Sequence, residues 1–410
     1  MLFATLLKSV VQRGSMVLVD GAGRRHRIGD NTAPRVAVRL TRRRLDYTLA
    51  LNPKLSIGEA YMDGSLRIEQ GSVLDLLMLL AGNLDAVAPG HWLNWGTHAR
   101  SLLASRVPAA RARRNVAHHY DLSPALYDLF LDAGQQYSCA YFIHPGDTLE
   151  AAQAQKQRHI AAKLLLDRPG LRVLDIGSGW GGLALFLARH GAAEVTGITL
   201  SVEQQRESTA RAAAAGLSDR VRFHLRDYRQ EAGTYDRIVS VGMFEHVGRG
   251  SYGAFFATLR GLLREDGVAL LHSVGDSAGP GPINPFIRKY IFPGADVPAL
   301  SEVLRAVERS GILVTDVEIL RLHYAETLLR WRERFVANRA AAVRLYDERF
   351  FRMWEFYLAL CEAGFRTRSS MVFQMQLARR NDVLPLTRDY MAEAERPAAL
   401  RTAVSDAAAD

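Results

Sequence analysis

From about residue 171 the chain alternates short apolar runs with stretches of helical length, and few folds accommodate such an order. Leu171 to Ile176, Glu194 to Ile198, Val221 to Leu225, Tyr235 to Val241 and Gly267 to Val274 read as strands, separated by helical stretches such as Gly181 to Arg189 and Val202 to Ala215. Strands divided by helices do not pair as hairpins, so the pattern specifies an α/β fold, a parallel sheet with helices on both faces. Ile312 to Ile319 and Met371 to Leu377 flank a long helical stretch near the end, and these two strands are expected to pair antiparallel.

The run Val173-Leu174-Asp175-Ile176-Gly177-Ser178-Gly179-Trp180-Gly181-Gly182 falls where the first strand turns into a helix. Glycines there let the backbone approach a ligand, and the helix N-terminus favours an anionic group. Gly177, Gly179 and Gly182 satisfy the dinucleotide fingerprint literally, which alone is weak evidence. A dinucleotide site also needs an acid at the end of the second strand for the ribose hydroxyls, and here that strand ends Gly197-Ile198-Thr199-Leu200-Ser201. Asp175 just before the first glycine, the polar turn Asp227-Tyr228 and the fourth strand Asp236-Arg237-Ile238-Val239-Ser240 suit S-adenosylmethionine better than a nicotinamide or flavin. The expected fold is therefore a class I methyltransferase: Rossmann-like, mostly parallel, with an antiparallel last strand pair.

With 410 residues and 48% hydrophobic content, the chain is long enough for a second, smaller core. Residues 1–95 read as an N-terminal α+β accessory domain for lipid docking, with strand-like Val17 to Val19 and Val36 to Leu40, turn signals at Gly21 and Gly23, and a helical run from Val73 to Leu80. Residues 96–114 read as a basic linker, 115–394 as the catalytic domain and 395–410 as an alanine-rich tail. Leu2, Phe3, Leu6, Leu7 and Val10 share one helical face, which suits a core better than a lipid surface. Two cysteines, Cys139 and Cys361, cannot form a disulfide framework, which fits a reducing cytoplasm. The N-terminus has no basic start and no small-residue cleavage site, and no apolar run reaches the roughly 20 residues that span a bilayer.

The formal charge of +9 is unevenly distributed: Ala86 to Tyr120 contains no acid, while Arg100, Arg106, Arg111, Arg113 and Arg114 are basic. No zinc-finger, homeodomain or RNA-recognition pattern accompanies them, so nucleic acid is not the expected partner. An anionic membrane surface attracts such a segment at about 1 kcal/mol per basic residue, and a solvated linker is the plainer alternative.

Taken in order, Asn115 to Leu122 (NVAHHYDL), Gln136 to Tyr141 (QYSCAY), Phe244 to Gly248 (FEHVG), Leu271 to Gly275 (LHSVG) and Arg288 to Gly294 (RKYIFPG) resemble the cyclopropane-fatty-acyl-phospholipid synthases and the related mycolic acid cyclopropane synthases, over roughly residues 110 to 390. Leu55 to Gly64 (LSIGEAYMDG) is similar to the N-terminal domain of the bacterial phospholipid enzymes. Ser178 departs from the family, many members having Cys there, on a loop that acts through its backbone.

The resemblance implies transfer of a methylene from S-adenosylmethionine across a cis double bond of an unsaturated phospholipid acyl chain, through a carbocation deprotonated by bound bicarbonate. An alkene is a poor nucleophile, so orientation and water exclusion carry most of the catalysis, and aromatic faces suit the cation. The bicarbonate site implied is Cys139, Glu245, His272, Val274 and Tyr324, with Glu245 and His272 at the ends of neighbouring strands. Tyr137 and Ser138 would lie near the methionine end of the cofactor, Asp175, Gly177 and Gly179 at the loop, Thr199, Leu200 and Gln204 after the second strand, and Asp227 and Tyr228 around the adenine. Phe286, Tyr290 and Phe292 are candidate walls of the acyl channel. By analogy the enzyme is a homodimer attached peripherally to the inner face of the membrane.

Each residue has a plainer reading: His272 as a structural strand histidine, Cys139 as a small buried hydrophobe, the aromatics as core. His118 and His119 lack partner ligands, so no metal is expected. Competing functions are a 10-methylene or methyl-branched fatty acid synthase, a small-amine methyltransferase, and an idle lipid-binding protein.

Overall fold

The computed structural model describes residues 1–84, 122–367 and 370–396. The expected linker, its arginines, His118, His119, the domain boundaries at 95 and 114 and the tail beyond 396 lie outside the described residues, as does all but Leu122 of the NVAHHYDL segment.

The N-terminal unit holds a four-stranded sheet of β1 (Ser15–Val19), β2 (Arg25–Gly29), β3 (Arg35–Leu40) and β4 (Leu66–Gln70), in the order β2-β1-β3-β4. In β3 every second residue is inward, and Val36, Val38 and Leu40 are buried. The Leu2–Val10 and Val73–Leu84 helices contribute Phe3, Leu7, Leu76 and Leu79 to the same core, each apolar side chain contributing about 1.5–3 kcal/mol. The N-terminal helix thus has its apolar face inward, apart from the exposed Leu2.

The second sheet has seven strands: β5 (Leu171–Ile176), β6 (Ala192–Thr199), β7 (Val221–Leu225), β8 (Tyr235–Val241), β9 (Leu263–Asp276), β10 (Leu313–Ile319) and β11 (Ser370–Ala378). Their order is β10-β11-β9-β8-β5-β6-β7, with β5 to β9 parallel and β11 antiparallel to both neighbours. β5 and β8 are almost continuously buried because helices cover both faces. This is the class I methyltransferase fold expected from the sequence.

The two sheets share one apolar cluster, built around the Glu348–Arg366 helix. The Pro53–Met62 helix packs on it and on the Pro285–Tyr290 helix so closely that a Cβ at Gly58 would lie 2.3 Å from the Phe286 ring. Glu59 Oε1 accepts from Lys289 Nζ at 2.6 Å and Tyr290 Oη at 2.8 Å, and Tyr61 Oη donates to Glu355 Oε2 at 2.7 Å. The LSIGEAYMDG segment is thus a packed junction, and Phe286 is core within it, 4.7 Å from the Phe356 ring.

Candidate active site

The glycine loop leaves β5 with Gly177 at φ +85° and Gly179 at φ +53°, left-handed conformations that glycine adopts without a side-chain penalty. Gly177 and Ser178 N–H groups donate to Ile198 O of β6 at 2.9 and 3.0 Å, pinning the loop over the sheet edge. Ser178 Oγ reaches the same carbonyl at 3.4 Å, so its side chain serves the loop. Open α/β sheets bind ligands at this carboxyl edge of their strands.

A cleft there is lined by all ten residues expected around the cofactor: Tyr137, Ser138, Asp175, Gly177, Gly179, Thr199, Leu200, Gln204, Asp227 and Tyr228. Thr199 Oγ1 donates to Gln204 Oε1 at 2.9 Å, and Ser201 Oγ caps the following helix by accepting from Gln204 N–H. The Asp227 carboxylate accepts from Arg229 N and Nε at 3.0 and 2.8 Å, so it is already engaged within the protein. Asp175 is buried at the end of β5, and burial raises its carboxyl to about 7, against the opposing charge of Lys156.

Beyond the cleft, aromatic rings dominate. Tyr137 stacks on Trp331 at 5.1 Å, its hydroxyl bonds that of Tyr357 at 2.7 Å, and Tyr127, Phe130 and Trp354 enclose the group. Phe292 lies 6.0 Å from Tyr357 and 6.1 Å from His246, which lines the cleft. Such a surround excludes water and presents π faces to a positive charge.

Of the five residues expected to handle the proton, Glu245 and Val274 are in direct contact: Val274 N–H donates to Glu245 Oε1 at 2.6 Å. Glu245 follows β8 on a single 3-10 turn, Phe244–His246, and its Oε2 is buried with no hydrogen-bond partner among the described residues. Burial raises its carboxyl to about 7, although Val274 N–H and the nearby Ser273 hydroxyl favour the charged form. Cys139, Val274 and Tyr324 belong to the shared apolar cluster, Tyr324 lying 4.7 Å from the Phe365 ring. Burial pushes the Cys139 thiol well up, so it is a neutral thiol and not a nucleophile.

His272 requires a correction. It lies inside β9, not at its end, because β11 pairs along β9 as far as Asp276 and prolongs the strand. Its Nδ1 lies 3.2 Å from Gln374 Nε2, and burial, reinforced by the charges of Lys156 and Lys163, lowers it to about 3. A histidine depressed below its unfolded value of about 6.5 stabilises the fold above that pH, and this contribution is lost as pH falls toward the folded value. Between pH 6.5 and 4, His272→Gln is expected to lose about 1.4 kcal/mol less stability per pH unit than the parent. Urea unfolding at the two pH values measures this, and equal losses would place the acid-sensitive group elsewhere.

Sequence reasoning missed Lys156. It is fully buried on the Leu149–Lys163 helix, and its Nζ donates to Gln136 Oε1 at 2.7 Å and Ser138 Oγ at 2.8 Å. Gln153, one turn earlier, donates through Nε2 to the carbonyls of Gln136 and Ser138 at 3.2 and 3.1 Å. Among the described residues no group of three or more His, Cys, Asp or Glu side chains is placed to hold a metal ion. Nor is any helix among them long and apolar enough to cross a membrane.

Fold and cleft together define an S-adenosylmethionine-dependent methyltransferase. Residues 108–375 match the family model described as mycolic acid cyclopropane synthetase, and the chain belongs to that family. It is 38% identical to the cyclopropane-fatty-acyl-phospholipid synthase of Escherichia coli K12, over 79% of this chain and 83% of that one. It is 41% identical to a probable fatty acid methyltransferase of Pseudomonas putida, over 67% of this chain and 73% of that one. The crystal structure of mycolic acid cyclopropane synthase CmaA1 complexed with SAH and CTAB superposes with a TM-score of 0.61 at 35% identity, covering 65% of this chain and 97% of that one.

Proposed function

We propose that the protein adds a methylene from S-adenosylmethionine across a cis double bond of an unsaturated phospholipid acyl chain, forming a cyclopropane. The observation that carries this reading is Glu245: a buried carboxylate with one oxygen held by Val274 N–H and the other without a partner among the described residues. Methyl transfer to an amine leaves an ammonium whose N–H proton water can take up, whereas the carbocation must lose a C–H proton to a held base before the ring closes. Bicarbonate fits here, since its O–H would satisfy the orphan oxygen, and when bound it supplies the base. In this reading Glu245 holds it, the backbone at Cys139 and Val274 and the side chains of His272 and Tyr324 orient it, and the aromatic surround keeps water from the cation. S-adenosylmethionine supplies the electrophilic methyl from the cleft, its methionine end at Tyr137 and Ser138, and the SAH carried by the CmaA1 crystal structure supports this choice of cofactor.

Expression in a host lacking cyclopropane lipids, followed by mass analysis of its fatty acids before and after catalytic hydrogenation, tests the product. A gain of one CH2 that takes up no hydrogen supports the ring. A gain that still takes up hydrogen would instead support a methylene-branched product, the second reading, which the 41% identity to a fatty acid methyltransferase favours.

The same reading places the enzyme peripherally on the inner face of an anionic membrane, with the acid-free stretch from Ala86 to Tyr120 as its electrostatic handle. Changing Arg111, Arg113 and Arg114 together to Gln is expected to weaken binding to anionic vesicles by about 3 kcal/mol at most. Added salt should shrink the difference, because charges are screened within about 10 Å at 0.1 M. Equal co-sedimentation of parent and triple variant at low salt would make the stretch a solvated tether. Light scattering tests the homodimer expected by analogy.

A further inference from the structure

Lys156 is an unusual feature beside the cleft. Burying an ammonium costs several kcal/mol unless charge and hydrogen bonds compensate it. Its two acceptors, Gln136 Oε1 and Ser138 Oγ, are both neutral, and among the described residues no carboxylate forms an ion pair with it. The charges of Asp132 and Asp175 favour it, yet burial, the larger effect, lowers it to about 8. An anion arriving in the cleft would supply the missing partner.

Ser138 shows how the charge is transmitted. Its Oγ accepts from an ammonium that has no acceptor capacity of its own, so the hydroxyl proton must be donated to another group. Ser138 lines the cleft together with Gly177 and Gly179. Gln136 is fixed on its other side, for its Nε2 lies where a Cβ at Gly182 would be, 2.3 Å away, at the start of the helix that follows the loop. With Gln153 gripping the carbonyls of 136 and 138, the Leu149–Lys163 helix holds both the backbone and the side chains of this edge of the cleft.

We propose that Lys156 is a positioning residue for the carboxylate of the cofactor, acting through Ser138, whose hydroxyl it orients as a donor, and through the positive charge it places beneath that carboxylate. This rests on the reading that the methionine end of S-adenosylmethionine lies at Tyr137 and Ser138. Charge-assisted hydrogen bonds are the strong ones, so their loss should be measurable as affinity.

The test is calorimetric binding of two ligands to the full chain and to Lys156→Met, an apolar replacement of similar length. One ligand is S-adenosylhomocysteine; the other is 5′-deoxy-5′-(3-aminopropylthio)adenosine, the same molecule without its carboxylate. Lys156→Met is expected to weaken S-adenosylhomocysteine about tenfold or more and the decarboxylated ligand by less than about twofold. Ser138→Ala should show the same selectivity, and adding Lys156→Met to it should cost little more, because the two act as one unit. Equal weakening of both ligands would reduce Lys156 to structural support, and unchanged affinity for both would remove it from the site; either overturns the proposal. Should Lys156→Met not fold, the selectivity of Ser138→Ala decides alone, and its absence overturns the proposal. Failure of the parent protein to bind S-adenosylhomocysteine would instead overturn the cofactor reading itself.

Discussion

Glu245→Gln is expected to lower turnover by a factor of about 10² to 10⁴, the usual range for removing an acid-base contribution, while S-adenosylhomocysteine affinity stays within about twofold. The amide is isosteric and its oxygen can still accept from Val274 N–H, so the 3-10 turn after β8 has no reason to move. What changes is the oxygen without a partner among the described residues, which becomes an NH2 group and can no longer accept the proton-bearing O–H of a bound anion. Cofactor binding lost in parallel with turnover would show that Glu245 serves the cleft and not the proton. A stability measurement gives a second check. Burial raises Glu245 to about 7, so the neutral side chain's contribution is full below the unfolded value near 4.5 and is lost as pH rises through the folded one. The parent protein should therefore lose stability relative to Glu245→Gln between pH 5 and pH 8. The opposite trend would mean that the carboxylate is stabilised in its charged form.

The seven strands of the large sheet were legible in the sequence because each contains a short run rich in apolar residues, and Leu171 to Ile176, Val221 to Leu225 and Tyr235 to Val241 were read to the residue. β2 and β4 were not legible. β2 reads Arg-His-Arg-Ile-Gly with only Ile28 buried, and β4 reads Leu-Arg-Ile-Glu-Gln with only Leu66 buried, so neither carries a periodic apolar signal. The residues expected around the cofactor fall along one cleft because backbone geometry demands glycine and cap residues at fixed places, which leave a mark in one sequence. Lys156 left none. Gln153, Lys156 and Lys163 recur at helical spacing on a segment that looks solvated, yet all three are buried, and hydropathy cannot tell a polar face turned toward a site from one turned toward water. The position of His272 inside β9 was hidden for a related reason. The strand's length is set by its pairing with β11, about a hundred residues away in the chain, and not by its own composition.

Gly179 is where a single methyl group should cost the most cofactor affinity for the least stability. Its φ of +53° is in the left-handed region, where a β-carbon costs about 1–2 kcal/mol, and among the described residues nothing lies within 4 Å of where that carbon would be. The space it would enter is the cleft itself, which Gly179 lines. Gly177 differs although it sits two residues away: a Cβ there would lie 2.7 Å from Met243 Cβ, so its replacement strains the empty protein as well. Gly179→Ala is therefore expected to melt close to the parent yet bind S-adenosylhomocysteine about 5- to 150-fold more weakly, the equivalent of 1–3 kcal/mol of overpacking. Gly179→Val should be worse on both counts, because a β-branched residue tolerates a positive φ poorly. Gly177→Ala should lose thermal stability before any ligand is added. Thermal melts of the three variants alone, followed by calorimetric titration with S-adenosylhomocysteine, separate the two positions. Unchanged affinity in Gly179→Val would mean that the cofactor does not approach the loop backbone, and the glycines would then be explained by the turn alone.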